Sequence, residues 1–418
     1  MEQGFPWRRF AVSLSGTLIA QGIAFLAQPL LRRLYAPEAF GELSLYLSIA
    51  GVLGTVAPLR FELALMLPRT PSRALDLFLG AMAVNTSFSL LVLLTFWIGA
   101  TWIKELLRLP EGAMEWLPWV GPAVWAYGLF LLFQQYFSRS HHYGKVNALR
   151  IMRRLPECVA QAGAWSLGPV GLIVGEMTGR LMMIITGFAY LLTDLKKFTF
   201  HQLLRKRLWL QLAAYRQFPL HSFLPTLFNA LALLAPSLIV NYHFGSYENG
   251  LFDMCLQIVA VPVGFMITSL SNVILAEVSE CYRHKKSVFP FLRKTFFLLF
   301  GAALLMSLAV WGLGPRGFGF LFGPNYEVSA TYALVLLPAL GSRLVVAPLA
   351  VTFAGINRIR YSVWWQYVYA LAILSLFLLP FDSMRTLILT YSWIEFSLNS
   401  FYLWQIFWLA GKYEKSLK

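Results

Sequence analysis

Residues 150–197 read RIMRRLPECVAQAGAWSLGPVGLIVGEMTGRLMMIITGFAYLLTDLKK. Arg150, Arg153 and Arg154 crowd its start, Lys196 and Lys197 close it, and most of what lies between is apolar. Loops rich in Lys and Arg stay on the cytoplasmic side of a membrane. Two basic ends on one side require an even number of crossings between them. Gly168-Pro169-Val170-Gly171 is a turn signal in the middle of the stretch. Two helices are therefore expected here, near 150–168 and 171–192, the first weakened by Arg153, Arg154 and Glu157 at its start.

The same reading extends along the chain, since a spanning helix needs about 20 mainly apolar residues. Such runs lie near 10–31, 42–67, 76–100, 118–138, 219–240, 251–276, 295–313, 328–353, 362–380 and 386–410. With the pair above, about twelve transmembrane helices are expected. The 418 residues are 58% hydrophobic and 13% charged, against roughly 25% charged in soluble domains, too little polar surface to solvate a globule of this size. The first apolar run exceeds a cleavable leader and reads as a signal anchor.

The net charge of +15 could suggest a nucleic-acid partner. Its placement argues otherwise. With the N-terminus inside, the inner segments collect Arg8, Arg9, Arg69, Arg73, Arg139, Lys145, Arg150, Arg153, Arg154 and the cluster Lys196 to Arg216. Further inner charges run from Arg283 to Lys294, at Arg358 and Arg360, and from Lys412 to Lys418. The outer segments hold only Arg32, Arg33, Lys104, Arg108, Arg316 and Arg385. The positive charge thus reads as topology, with both termini cytoplasmic. The expected architecture is an all-α membrane protein of two six-helix lobes, 1–192 and 217–418, joined by a basic cytoplasmic linker at 193–216. A shift of half the chain length superposes Thr17-Leu18 on Thr226-Leu227 and Tyr35-Ala36 on Phe244-Gly245, a faint internal repeat. The Gly-rich segment 312–323 reads as an outer interfacial loop.

Charges inside hydrocarbon are costly enough to be functional candidates. Glu176 and Arg180, four apart, can neutralise each other along the stripe Gly171-x-x-x-Gly175-x-x-x-Gly179, which favours close helix packing. A structural pair is the preferred reading. Arg60 and Glu62 are two apart and cannot share a helix face, so each needs another partner, and Arg60 is the better candidate for a cavity-lining cation. Arg343 has no acid within a turn, and its role stays open. Amides recur within the spans, among them Gln21, Gln134, Asn229, Gln257 and Asn272. Most are expected to bond helix to helix. Three scattered cysteines form no disulfide or metal pattern, and adjacent His141 and His142 lack the i, i+4 spacing of a helical metal site. No phosphate-cradling Gly loop is present, so no cofactor and no enzyme chemistry is expected.

The run LSGTLIAQGIAFLAQPLLRRLYAPEAFGELSLYLSIAGVLGTVAPLRFELALMLPR at 14–69 carries Gln21, the turn Arg33-Leu34-Tyr35-x-Pro37-Glu38-x-Phe40-Gly41, and Leu59-Arg60-Phe61-Glu62. It resembles the N-terminal lobe of Wzx-type O-antigen flippases, the polysaccharide biosynthesis proteins of the multidrug/oligosaccharidyl-lipid/polysaccharide (MOP, MATE-like) exporter superfamily. The segment FGPNYEVSATYALVLLPAL at 322–340 and Asn357-Arg358 are also similar, so local likeness covers about a quarter of the chain. The resemblance implies a V-shaped bundle in the bacterial inner membrane that moves undecaprenyl-pyrophosphate-linked oligosaccharide from the cytoplasmic to the periplasmic leaflet. It implies pyrophosphate contacts at Arg60 and Arg343, joined by Arg33 and Arg180, and sugar contacts at Gln21, Gln134, Asn229 and Gln257. Glu62 and Glu176 become candidates for H+ or Na+ coupling, with drive by membrane potential alone equally open. Implied partners are the lipid-linked oligosaccharide, membrane lipids and other polysaccharide assembly proteins.

Three other readings compete. A multidrug exporter of the same superfamily would want an acidic cavity, whereas the charges here lean basic. A polymerase or ligase would want a large periplasmic loop, and the outer loops near 101–117 and 314–327 are short. A scaffold of the assembly machinery would have no transport activity.

Overall fold

The structure, a computed structural model, describes residues 7–195, 205–356 and 358–415. Lys196, Lys197, Asn357 and Lys418 lie outside the described residues, as do the side chains of Arg8, Arg9 and Asn272. The described chain is helical, with turns and no strand. It divides into two compact units, Met1–Ser246 and Tyr247–Lys418.

The first unit contains α1 (Trp7–Leu34), α2 (Pro37–Val56), α3 (Phe61–Ala64), α4 (Pro71–Ile98), α5 (Ala100–Leu107) and α6 (Ala113–Trp116). It continues with α7 (Val120–Arg139), α8 (Tyr143–Gly163), α9 (Pro169–Leu195), α10 (Arg205–Ala214) and the beginning of α11 (Gln217–Arg283). The second unit holds the remainder of α11, then α12 (Phe289–Phe322), α13 (Glu327–Leu349), α14 (Thr352–Gly355), α15 (Ile359–Leu374) and α16 (Met384–Lys415).

Local chemistry explains most boundaries. Pro37 and Pro71 open α2 and α4 at positions where a missing N–H costs nothing, and the Thr70 side chain accepts from the Arg73 N–H as an N-cap. α11 breaks at Gly245, whose φ of 84° suits a residue without a β-carbon. α12 breaks likewise at Gly314, just before Pro315, and resumes to Phe322. The segment 312–323 is therefore helical on both sides of that break, not the loop its glycines suggested.

Seven stretches are long and apolar enough to cross a membrane. Their outward faces carry large apolar side chains: Leu298, Leu305, Leu308 and Trp311 on α12 are each at least 62% exposed. Water would penalise that area heavily, at about 25 cal/mol per Å², whereas lipid tails solvate it. The chain is a multi-pass membrane protein.

Inside the first unit, α4 and α7 meet through Phe78 and Phe133, ring centroids 5.6 Å apart, and Phe188 of α9 stands edge-on to Phe133 at 5.3 Å. Along α8 and α9 the glycine stripe does what its spacing suggested. A β-carbon on Gly175 would meet Gln161, and one on Gly179 would meet the Arg153 carbonyl and Glu157. In the second unit, Tyr402 of α16 stacks between Trp365 and Phe353, at 4.6 and 5.0 Å.

Candidate functional site

α8 has two chemically different faces. Arg150, Arg153, Arg154, Glu157 and Gln161 recur at intervals of three and four, so they lie along one side of the helix. Met152, Leu155 and Val159 point the other way and are exposed. The polar side packs between α1 and α9. Arg150, Arg153 and Arg154 are therefore side chains of the helix expected near 150–168, on the face that packs against protein.

Each arginine is held in a defined direction. Arg150 donates to Thr17 Oγ1 of α1 at 2.6 Å and reaches Gln134 Oε1 of α7 at 3.5 Å. Arg154 donates to Glu157 at 2.8 Å, one turn along α8. Arg153 lies 3.4 Å from Glu176 of α9, and the same carboxylate oxygen takes Arg180 Nε. Arg180 also donates to the Ala123 carbonyl of α7 at 3.1 Å, with its guanidinium 5.6 Å from the Tyr127 ring. Glu176 is fully buried. A carboxylate so placed is stable only with charge partners and hydrogen bonds, and two guanidiniums supply them.

These side chains border a cavity of about 160 Å³ lined by Thr17, Ala20, Gln21, Phe130, Arg150, Arg153 and Arg154. Arg153 Nε and Gln21 Oε1 are buried there without a hydrogen-bond partner among the described residues. Unmade hydrogen bonds on buried groups are costly, so the cavity offers donors and an acceptor to a polar guest. Three guanidiniums on one wall, with an amide and a hydroxyl opposite, suit an anion carrying several acceptor oxygens.

The residues singled out in the sequence are distributed as follows. Gln21, Gln134, Glu176 and Arg180 belong to this cluster. Arg33 is exposed at the end of α1, while its neighbour Arg32 is buried, bonded to Gln28 at 3.0 Å and 4.1 Å from the Phe40 ring centroid. Arg60 pairs with Glu62 at 2.8 Å, which corrects the expectation that the two could not meet. The expectation assumed one helix across 42–67, but α2 ends at Val56 and Leu59 and Arg60 both take left-handed φ, 48° and 64°. Outside a helix, residues two apart can converge. Glu62 is buried, and no ion pair or hydrogen bond joins Arg60 to the α8 cluster among the described residues.

In the second unit Arg343 of α13 pairs with the buried Glu395 of α16 at 2.6 Å and donates to Tyr369 Oη of α15 at 2.8 Å. One turn from Glu395, Asn399 donates to Ser342 Oγ at 3.1 Å. Asn229 and Gln257 are half-buried, Asn229 in the first unit and Gln257 in the second. Among the described residues, no group of three or more His, Cys, Asp or Glu could hold a metal.

The comparisons with known proteins agree with this fold. The solved structure of a multidrug resistance MATE family transporter of the MOP superfamily, inward-facing, is similar over 97% of this chain and 99% of its own, with a TM-score of 0.71 at 12% identity. The lipid II flippase MurJ, in an inward closed conformation, is similar over 95% of this chain and 87% of its own, with a TM-score of 0.72 at 12% identity. A MOP superfamily transporter from Pyrococcus furiosus, reported with a binding pocket of reverse polarity, covers 99% of this chain and 97% of its own, at a TM-score of 0.59 and 13% identity. No curated protein matches by sequence. A family model described as polysaccharide biosynthesis protein matches residues 30–311, well over half of the chain. The chain therefore belongs to the polysaccharide biosynthesis protein family and has the fold of the MOP superfamily transporters.

Proposed function

We propose that this protein is a flippase that carries a polyprenyl-pyrophosphate-linked oligosaccharide from the cytoplasmic to the periplasmic leaflet of the bacterial inner membrane by alternating access. The observation that carries the reading is the arginine-walled cavity of α8, where Arg153 and Gln21 hold buried polar atoms with no hydrogen-bond partner among the described residues. Bare pyrophosphate cannot cross hydrocarbon, because an isolated ion there costs tens of kcal/mol by idealised reckoning. Arginine is the side chain best matched to phosphate oxygens. Membership of a polysaccharide biosynthesis family supports an oligosaccharide as the cargo's polar head.

On this reading Arg153 and Arg154 contact the pyrophosphate, Arg180 bracing Arg153 through Glu176 and Glu157 holding Arg154. Arg60, Arg343 and the exposed Arg33 are further phosphate contacts along the path, the first two already carrying carboxylate partners that a cargo anion would compete with. Gln21 and Gln134 bond sugar hydroxyls near the cluster, and Asn229 and Gln257 do so elsewhere. Of the two ion-coupling candidates, Glu62 has one guanidinium partner and Glu176 two, so Glu62 is the easier to release for a proton or sodium ion.

The test is made in cells lacking the protein and any redundant exporter. The proposal expects loss of surface polymer and lipid-linked oligosaccharide trapped on the cytoplasmic leaflet, with both defects reversed by the intact gene. Normal polymer and no trapped intermediate would refute it.

A further inference from the structure

In the second unit the ends of α11 and α16 and the start of α15 converge on a second polar cavity, of about 280 Å³. Its polar lining is Tyr282, Arg358, Tyr361, Lys412 and Tyr413. The buried side chains of Ile356 and Leu409 complete its lining. No carboxylate borders it, and neither Arg358 nor Lys412 has an ion-pair partner among the described residues. The volume of about 280 Å³ falls just below the ~300–1,000 Å³ typical of ligand cavities, which suits a small headgroup. Two cations and the phenols of Tyr282 and Tyr361 around such a space form a receptor for a phosphate with a small polar substituent, since each of these four can donate to phosphate oxygens.

The depth of the cavity identifies the source of that phosphate. Trp404 and Trp408 are exposed on α16, stacked with centroids 6.2 Å apart. Exposed Trp collects at the boundary between hydrocarbon and headgroups. Lys412 stands one turn beyond Trp408, about 6 Å along the axis at 1.5 Å per residue, and its Nζ lies 5.3 Å from the Trp408 ring. The cavity is thus at headgroup level. Arg283, Lys285 and Lys286 are exposed on the segment that ends α11, adding positive charge beside Tyr282.

Tyr282 and Tyr413 shape the opening. Their rings are 5.3 Å apart, and Tyr413 Oη donates to the Tyr282 carbonyl at 3.3 Å. Tyr361 stacks on Phe353 at 6.3 Å, which fixes its phenol at the rim.

We propose that this cavity binds the phosphate headgroup of an anionic membrane lipid, a site separate from the α8 cluster and independent of the flippase reading. Basic pockets between transmembrane helices bind such headgroups, and each Lys or Arg near an anionic surface adds roughly a fivefold preference.

The full chain, purified in detergent, is incubated with equimolar phosphatidylglycerol and phosphatidylcholine, and retained lipid is quantified. The wild type is expected to retain phosphatidylglycerol preferentially. The Arg358→Ala/Lys412→Ala variant is expected to lose an order of magnitude or more of that preference. The charge-preserving Arg358→Lys/Lys412→Arg variant controls for folding and is expected to keep most of it. An alanine variant with wild-type preference overturns the proposal. So does wild-type protein that binds free glycerol phosphate as tightly as phosphatidylglycerol, because the cavity would then take a soluble phosphate.

Discussion

Arg153 lies 3.4 Å from Glu176, and through that buried carboxylate it is joined to Arg180 on the neighbouring helix. The arrangement ties α8 to α9 while leaving Arg153 Nε without a hydrogen-bond partner among the described residues. Removing the shared acid leaves two guanidiniums without their carboxylate, and breaking a buried pair costs about 3–5 kcal/mol. Glu176→Gln is therefore expected to lower the thermal unfolding midpoint in detergent clearly, whereas Arg154→Gln, whose side chain is partly exposed, is expected to lower it much less. Equal midpoints for Glu176→Gln and wild type would show that the carboxylate braces nothing.

The glycine stripe gives a second, purely steric expectation. A β-carbon on Gly179 would run into the Arg153 backbone carbonyl, which cannot swing aside as a side chain can. Gly179→Ala is expected to cost about 1–3 kcal/mol, the usual range for overpacking. Gly301 of α12 has open space at its β position, so Gly301→Ala should be neutral or slightly stabilising through helix propensity. Unfolding midpoints of the two variants in one detergent make the comparison.

Arg343 and Glu395 should behave as a coupled pair in the second unit. Arg343→Met and Glu395→Leu are each expected to destabilise by about 3–5 kcal/mol, and the double variant by clearly less than the sum. Additive losses in this double-mutant cycle would mean that the 2.6 Å contact contributes no coupling.

At Arg60 the backbone and the charge can be separated. Its φ of 64° strains any residue with a β-carbon, by roughly 1–2 kcal/mol. Arg60→Gly is expected to be more stable than Arg60→Ala by about 1 kcal/mol, while both lose transport to the same extent. If activity follows stability and not charge across the two variants, Arg60 is a structural residue.

The cargo's charge sets the energetics of export. A pyrophosphate diester carries about two negative charges, and each charge moving outward from a negative interior gains about 2.3 kcal/mol per 100 mV. Collapsing the membrane potential in intact cells is expected to slow outward movement of lipid-linked oligosaccharide. An unchanged rate and extent would exclude this drive.

Much of the fold was legible in the sequence because lipid exposure demands long apolar runs, and the glycines at 171, 175 and 179 announce a close helix contact by their period of four. Gly168 and Pro169 correctly marked the break between α8 and α9. The arginines of α8 were harder to read. The sequence placed them at the start of a helix and counted them toward the charge bias of the cytoplasmic side, which says nothing of the partners they find on α1, α7 and α9. The spacing of Arg150, Arg153, Arg154 and Glu157 was the available signal, since it repeats at three and four. Arg60 and Glu62 were misjudged for a different reason. Periodicity presumes helix, and a Pro58 followed by two left-handed residues is where that presumption fails. Long-range partners such as Glu395 for Arg343, 52 positions apart in sequence, are set by packing that no local pattern encodes.

The most direct measurement is transport by the purified protein in liposomes loaded with lipid-linked oligosaccharide, comparing wild type with Arg153→Gln and Arg154→Gln at matched amounts of folded protein. Leaflet exchange by the wild type is expected, with at least a tenfold loss in each variant and a deeper one in the two together. Exchange at the wild-type rate by the double variant would contradict it, and the α8 cavity would not be the path of the pyrophosphate.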